Sequence, residues 1–566
     1  MLGKKLVGLT MAFMLMVGAC AEQPPVERYD TIIRGGTVYD GLGGTPYVAD
    51  VAIQNDRIAK IGDLTSAQAT HIVDATGQAV SPGFINMLSW AVTSLLHDGR
   101  GLSDLKQGVT LEVFGEGMSW GPLSEGGKKI IAEMTFRDQP YVPQWKTLGE
   151  YLEHLEKKGV SPNVASFVGA TTVRMNQLGE INRAPTLDEL DAMKAEVRTA
   201  MEEGALGLGS SLIYAPAFYS KTDELVELAK VVGEYDGMYI SHMRSEGNRF
   251  LEALEELITI EREGGVAAEV YHLKASGKEN WHKMDEAIAR IEAARAEGLA
   301  ITADMYTYQA GATGLDAAMP PWVQEGGYDA WSERLKDPVI RARVKEEMRT
   351  PTDEWENLML AAGYDGVLLS GFENPDLRHL VGKRLSEIAE ERGQDPEDVV
   401  MDLVIEDGSR VGTIYFLMSK ENMHKQVKLP WLSFGSDSAA LDPVLDAPFG
   451  NPHPRAYGTF ARVLGTFVRD EKLIPMEEAI RKLTHLPATN LKLKDRGSLA
   501  VGNYADVVVF DPAKVQDHAT FEKPHALASG VEHVWVNGGQ VIADGMHTGT
   551  TPGRVVRGPG WVGWKH

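Results

Sequence analysis

Cysteine is almost missing from this chain: its 566 residues include one, Cys20. A single thiol closes no intramolecular disulfide, so the fold must be held by its core. Positive charge is also in deficit, with 56 Lys and Arg against 80 Asp and Glu and a net charge of −24. That balance argues against nucleic acid as a partner and favours solubility. No membrane-spanning run is evident: the apolar stretch at residues 6–17 is too short to cross a bilayer. What remains is ordinary for a soluble globular enzyme, 43% hydrophobic and 24% charged, and too long for one simple domain.

The lone cysteine has a telling place. Lys4 and Lys5 precede the apolar stretch, and Gly18, Ala19 and Cys20 follow it, which is the layout of a secretory signal. The local sequence VGAC resembles the lipobox of bacterial lipoproteins. The resemblance implies cleavage of a signal peptide at residues 1–19, lipid on Cys20 and a tether at 20–28. The expected location is the bacterial cell envelope. Ala21 favours the outer membrane, facing the periplasm. The membrane would be reached only through that anchor.

The rest of the chain falls into three regimes. Residues 29–80 alternate apolar and polar positions between Gly and Asn-Asp turns, which predicts short strands of a small β-domain. Residues 491–557 return to the same style, and both ends are expected to build one composite β-sandwich. Between them, residues 81–490 carry eight apolar runs, at 82–88, 109–116, 164–170, 205–212, 238–243, 267–273, 300–306 and 431–437. Most are separated by helices with clear punctuation. Thr186 and Glu189 form a capping-box pattern, Thr222 can cap the next helix, and Gly204, Gly233, Gly264 and Gly298 can end helices. Eight strands alternating with helices predict a TIM (β/α)8 barrel in the α/β class. One connection, 309–429, is far longer than a helix needs and predicts an inserted subdomain that covers the site.

Residues 237–276 hold the most chemistry. Two strands there end in His242 and His272, with an amphipathic helix at 249–263 between them. Imidazoles on neighbouring strand tips can share a metal ion.

The motifs SPGFIN (81–86), QGVTLEV (107–113), YISHMRSEG (239–247), VYHLKASG (270–277), FGSDS (434–438), HPRAYGTFARVLG (453–465) and GNYADVVVFDP (502–512) occur in one order. Together they resemble the amidohydrolase superfamily, and most closely its D-aminoacylase (N-acyl-D-amino-acid deacylase) branch, over residues 30–557. The resemblance implies a metal-activated hydrolase of small N-acyl amino acids or short peptides. By matching position, His242 and His272 are metal ligands, Asp437 is the catalytic aspartate, Arg455 clamps the substrate carboxylate, and Tyr214 and Tyr306 line the pocket. Lys274 either polarises the scissile carbonyl or forms a structural ion pair.

Two departures stand out. The family's His-x-His pair is replaced by Leu88 and Trp90, with Asn86 in place of the usual aspartate. The first strand then offers no ligand and makes its side of the pocket apolar, which predicts one Zn²⁺, or another divalent transition metal, rather than two. The family's cysteine ligand on the second strand is missing, and Glu116 is nearest to that role. His97, just past the first motif, reads as an exposed helix residue. Ala312 stands where the family has a serine that meets the substrate carboxylate. The chemistry expected is attack by an activated water, with Asp437 as general acid and base. The alternatives are a cyclic-amide or D-peptide hydrolase of the same superfamily, and a metal-free lipoprotein that binds peptides or glycans.

Overall fold

The computed structural model describes residue 3, residues 26–133, 135–136 and 138–565. Apart from Gly3, the proposed signal sequence lies outside the described residues, as does Cys20. No helix among the described residues is long and apolar enough to cross a membrane.

All eight barrel strands are present: Phe84–Asn86, Val109–Phe114, Asn163–Ser166 continued by Val168–Gly169, Gly207–Ser211, Met238–His242, Ala267–Val270, Ile301–Met305 and Leu432–Phe434. Each pairs in parallel with the next. The ring closes where Met87 N–H donates to Phe434 O at 3.3 Å and Asp437 N–H to Leu88 O at 2.8 Å. The strands are buried along their length because helices cover the outside. The helix Phe250–Gly264 shows how: Phe250, Leu254, Leu257 and Ile258 form one apolar stripe turned onto the barrel. Truncating one such residue to alanine would cost about 2–5 kcal/mol.

The helix ends differ slightly from expectation. Thr186 and Glu189 do form a reciprocal capping box. Thr222 is the first helical residue rather than the cap, and its hydroxyl instead donates to Glu256 Oε1 at 2.8 Å. The left-handed residue that stops Phe250–Gly264 is Gly265, at φ +62°. Gly264 stays helical, and its lack of a side chain permits a close approach in which a Cβ would meet the Ala229 methyl at 2.8 Å.

Both ends of the chain share one β-domain. Its nine-stranded sheet joins Val507–Phe510 antiparallel to Ala79–Pro82. Ile33, Val51 and Val80 from the N-terminal part close on Val507, Val509 and Trp535 from the C-terminal part. The chain then returns along the barrel, where Val556 N–H donates to Val164 O at 2.8 Å.

The insertion folds around its own core. Its antiparallel sheet takes Gly412–Phe416 as the centre, with Ala310–Gly314 and Val367–Gly371 on either side. Trp331, Leu335, Val344, Met359, Val400 and Tyr415 are buried among its helices. Asp337 caps Pro338–Arg349 by accepting from Val339 N–H at 2.8 Å. This subdomain lies over the C-terminal ends of the barrel strands, because Thr313, Asp316, Tyr328 and Arg410 line the same cavity as the barrel histidines.

Candidate metal centre and active site

Glu116 follows the second barrel strand, between Gly115 (φ +111°) and Gly117 (φ +70°). A side chain at Gly115 would meet Phe167 O at 2.5 Å, and one at Gly117 would meet the Ser211 Cβ at 2.5 Å. Two glycines thus let the strand tip press against its neighbours and turn the glutamate inward. His242 ends the fifth strand. His272 lies just past the sixth strand at φ +34°, and Asp437 past the eighth at φ +50°. Left-handed backbone at a non-glycine residue costs of order 1–3 kcal/mol and persists only when its surroundings impose it. They do so here: His272 N–H donates to Asp304 Oδ1 at 2.9 Å, and Asp437 N–H to Leu88 O.

These tips bring three ligand groups together. Glu116 Oε1 lies 2.9 Å from His242 Nδ1 and 3.0 Å from His272 Nε2. One ligand atom from each residue lies within 4.8 Å of the others, and all three residues are buried. One carboxylate and two imidazoles from separate strands form a donor set that suits a zinc ion with an open position. Burial opposes charge on Glu116, but hydrogen bonds from His242 and His272 outweigh it and hold its carboxyl well below the usual range.

Glu246 lies within the YISHMRSEG motif, and the sequence alone assigns it no role. It backs both imidazoles: Oε1 lies 3.0 Å from His272 Nδ1 and Oε2 lies 3.8 Å from His242 Nε2. Its position four residues past His242 is the only sequence signal, and it carries weight only once the loop is seen to fold back. Lys274 Nζ is 2.5 Å from Glu246 Oε1 and 2.7 Å from His272 Nδ1. Of its two expected roles, the geometry places Lys274 in the ion pair. Asp304, likewise unassigned by the sequence, is fully buried, and burial raises its carboxyl to about 7.

The predicted substrate residues line one cavity of about 1070 Å³ together with the ligand set: Tyr214, Tyr306, Lys274, Asp437 and Arg455. Tyr214 stacks edge-on to His242 at 5.3 Å between centroids, and Tyr306 to His272 at 6.3 Å. Arg455 Nη1 lies 2.8 Å from Asp437 Oδ2. Its one aligned hydrogen bond runs from Nη2 to Ala312 O at 3.3 Å, while Nε and Nη1 are buried without an aligned acceptor. Ala312 thus offers no hydroxyl, and its backbone carbonyl holds Arg455 instead. His453 accepts Arg455 N–H at Nδ1, 3.0 Å away, and holds Ala310 O through Nε2 at 2.9 Å, which fixes the start of the arginine's helix. Burial raises the Asp437 carboxyl, and Arg455 opposes that rise.

The first strand departs from expectation in one respect. Leu88 is buried in the barrel core and does not reach the cavity. Trp90 does reach it, and its contribution is polar as well as apolar: Nε1–H donates to Glu116 Oε2 at 2.8 Å. His97 is half-buried rather than exposed, edge-on to Tyr141 at 5.7 Å, and is not among the three grouped ligands. A larger cavity of about 1310 Å³ lies between the helix Phe250–Gly264 and the insertion, but none of Glu116, His242, His272 or Asp437 lines it. Chemistry rather than size identifies the site.

Comparison with known proteins agrees with this geometry. The model of the "Amidohydrolase family" matches residues 144–542. The chain is 33% identical to a D-aminoacylase of Alcaligenes xylosoxydans xylosoxydans over 94% of this chain and 99% of the relative. It is similar in structure to an N-acyl-D-glutamate deacylase of Bordetella bronchiseptica, complexed with zinc and a phosphonate that mimics the tetrahedral intermediate. That likeness has a TM-score of 0.77 at 29% identity, over 94% and 100% of the two chains. A D-aminoacylase structure that addresses a binuclear metal centre, with one-metal activation and second-metal attenuation, matches at TM-score 0.78 and 34% identity, again over 94% and 100%. Matched along nearly its whole length and carrying a buried Glu-His-His set at its barrel tips, this chain belongs to the amidohydrolase family, as a metal-dependent hydrolase of carbon–nitrogen bonds other than peptide bonds.

Proposed function

We propose that the protein hydrolyses the amide bond of N-acyl-D-amino acids with one Zn²⁺ held by Glu116, His242 and His272. The observation that carries this reading is the convergence of those three buried ligands in one cavity with Asp437 and Arg455. When bound, the cation would supply Lewis acidity and a water that ionises near neutrality.

The chain's own groups account for the rest. Arg455 pairs with Asp437 through Nη1 and leaves Nε without an acceptor, and its planar guanidinium suits capture of the α-carboxylate. Asp437 stands beside that arginine with its side chain 11% exposed. It takes the proton of the attacking water and returns it to the leaving nitrogen. Tyr214 and Tyr306 wall the two histidines and limit the positions a substrate can take. Glu246 orients the His272 imidazole from behind and adds negative charge near His242, and Lys274 balances its charge. The D preference rests on the relatives, whose names specify it.

The test is a screen of zinc-loaded protein against N-acetyl-D-amino acids, N-acetyl-L-amino acids, hydantoins and D-containing dipeptides. Free D-amino acid as the main product supports the proposal. Turnover of hydantoin or dipeptide alone, or of none of the panel, contradicts it. Anchoring through lipid on Cys20, and with it an outer-membrane position facing the periplasm, belongs to the same proposal. It is supported by the signal-like order of residues 1–20. Incorporation of labelled palmitate in the host, lost in Cys20→Ser, is the expected result.

A further inference from the structure

Glu116 is gripped from both sides. Oε1 faces the two imidazoles, and Oε2 accepts the Trp90 indole N–H at 2.8 Å. The backbone that carries Trp90 is fixed on both flanks. Ser89 N–H donates to Val113 O at 2.9 Å, and Trp90 N–H to Ser438 O at 2.9 Å. The indole is therefore held against the glutamate from the point where the barrel closes, between its first and eighth strands.

A carboxylate that bridges two cations gives one oxygen to each. Here the second oxygen is already engaged by an indole N–H, which donates but offers no lone pair to a metal. The neighbouring position, Leu88, is packed into the barrel core and offers none either. The first strand thus has nothing with which to hold a second ion, and a bulky ring fills the side of the cavity where one would meet Glu116.

We propose that Trp90 is a positioning residue that takes the structural place of a second metal. It steers Glu116 so that Oε1 alone serves the single cation, and it keeps the enzyme from being attenuated by excess metal. The inference rests on the one-cation reading above and deepens it. Its chemistry differs from that of the similar D-aminoacylase, for which a binuclear centre and attenuation by the second metal are described.

The experiment is equilibrium dialysis of the purified protein against a large excess of zinc, with bound metal counted by mass spectrometry. Chelator competition gives the affinity of wild type and Trp90→Phe, a change that keeps the ring and removes the N–H. The expected result is one ion per chain in the wild type at every excess, with an affinity about tenfold weaker in Trp90→Phe. Two ions in the wild type would overturn the inference and leave the hydrolase reading standing. Equal affinity in a folded Trp90→Phe would also overturn it. A wild-type chain that binds no zinc would overturn the hydrolase reading itself. Should Trp90→Phe fail to fold, Trp90→Leu, which also removes the N–H, takes its place, and an affinity equal to wild type in it overturns the inference.

Discussion

Asp437 and Arg455 form an ion pair at the metal site, with Oδ2 and Nη1 2.8 Å apart. The pair is close but not aligned as a hydrogen bond, since Nη1 has no acceptor that meets bonding geometry. The arginine therefore balances the aspartate's charge, and only Nε is left without an acceptor. In the proposed mechanism this arrangement couples substrate binding to the state of the catalytic acid.

Replacing Arg455 with Met should raise KM more than it lowers kcat, because a carboxylate clamp is lost. It should also move the acid limb of the kcat/KM profile to higher pH. Burial already raises the Asp437 carboxyl, and Arg455 is the first group opposing that rise. The base works when ionised, so activity falls as pH drops through its pKa. Without the guanidinium that fall begins at higher pH. A pH profile of the variant with the same acid limb as wild type would contradict this coupling.

Asp437→Asn should lower kcat by at least about 100-fold, since general acid–base transfer is lost. Bound zinc should be unchanged, because the proposed ligands are Glu116, His242 and His272. Metal analysis beside single-turnover assays checks both halves. Loss of zinc along with turnover would make Asp437 a ligand instead.

Glu246→Gln should weaken zinc binding about 10–100-fold while leaving the three ligands in place. It also strands Lys274 in a buried site without its partner. The double change Glu246→Gln with Lys274→Met should therefore be more stable than the single one, although its zinc binding stays weak. Thermal melts and chelator competition separate the two effects.

Glu261 offers a pH test away from the site. It is 4% exposed on the helix Phe250–Gly264, and burial pushes its carboxyl up to about 7 against an ordinary value of 4.5. A folded-state pKa raised above the unfolded one contributes stability that is fully present below pH 4.5 and is lost as pH rises through about 7. Each pKa unit is worth about 1.4 kcal/mol, so the loss is at most about 3.5 kcal/mol. Glu261→Gln should flatten the melting-temperature profile over that window. A profile as steep as wild type would assign the slope to other groups.

The barrel was legible because strand and helix punctuation repeat eight times, and the tips because histidine and aspartate stand out at the ends of apolar runs. Glu116 was found through resemblance, but what turns it inward, the glycines on either side and their contacts with Phe167 and Ser211, is set by non-local packing. Glu246 escaped notice because a loop acid looks solvated until the loop is seen to fold back. Trp90 was read as apolar filling, since its N–H has meaning only beside a glutamate 26 positions away in sequence. Lys274 had two readings in sequence, and Glu246, once located, accounts for it.

X-ray absorption at the zinc edge of the loaded protein tests the central claim most directly. The account predicts one zinc bound by two imidazoles and by oxygen, with no second metal in its scattering shell. A metal–metal vector at about 3.5–4 Å, or a zinc without imidazole scattering, would contradict it.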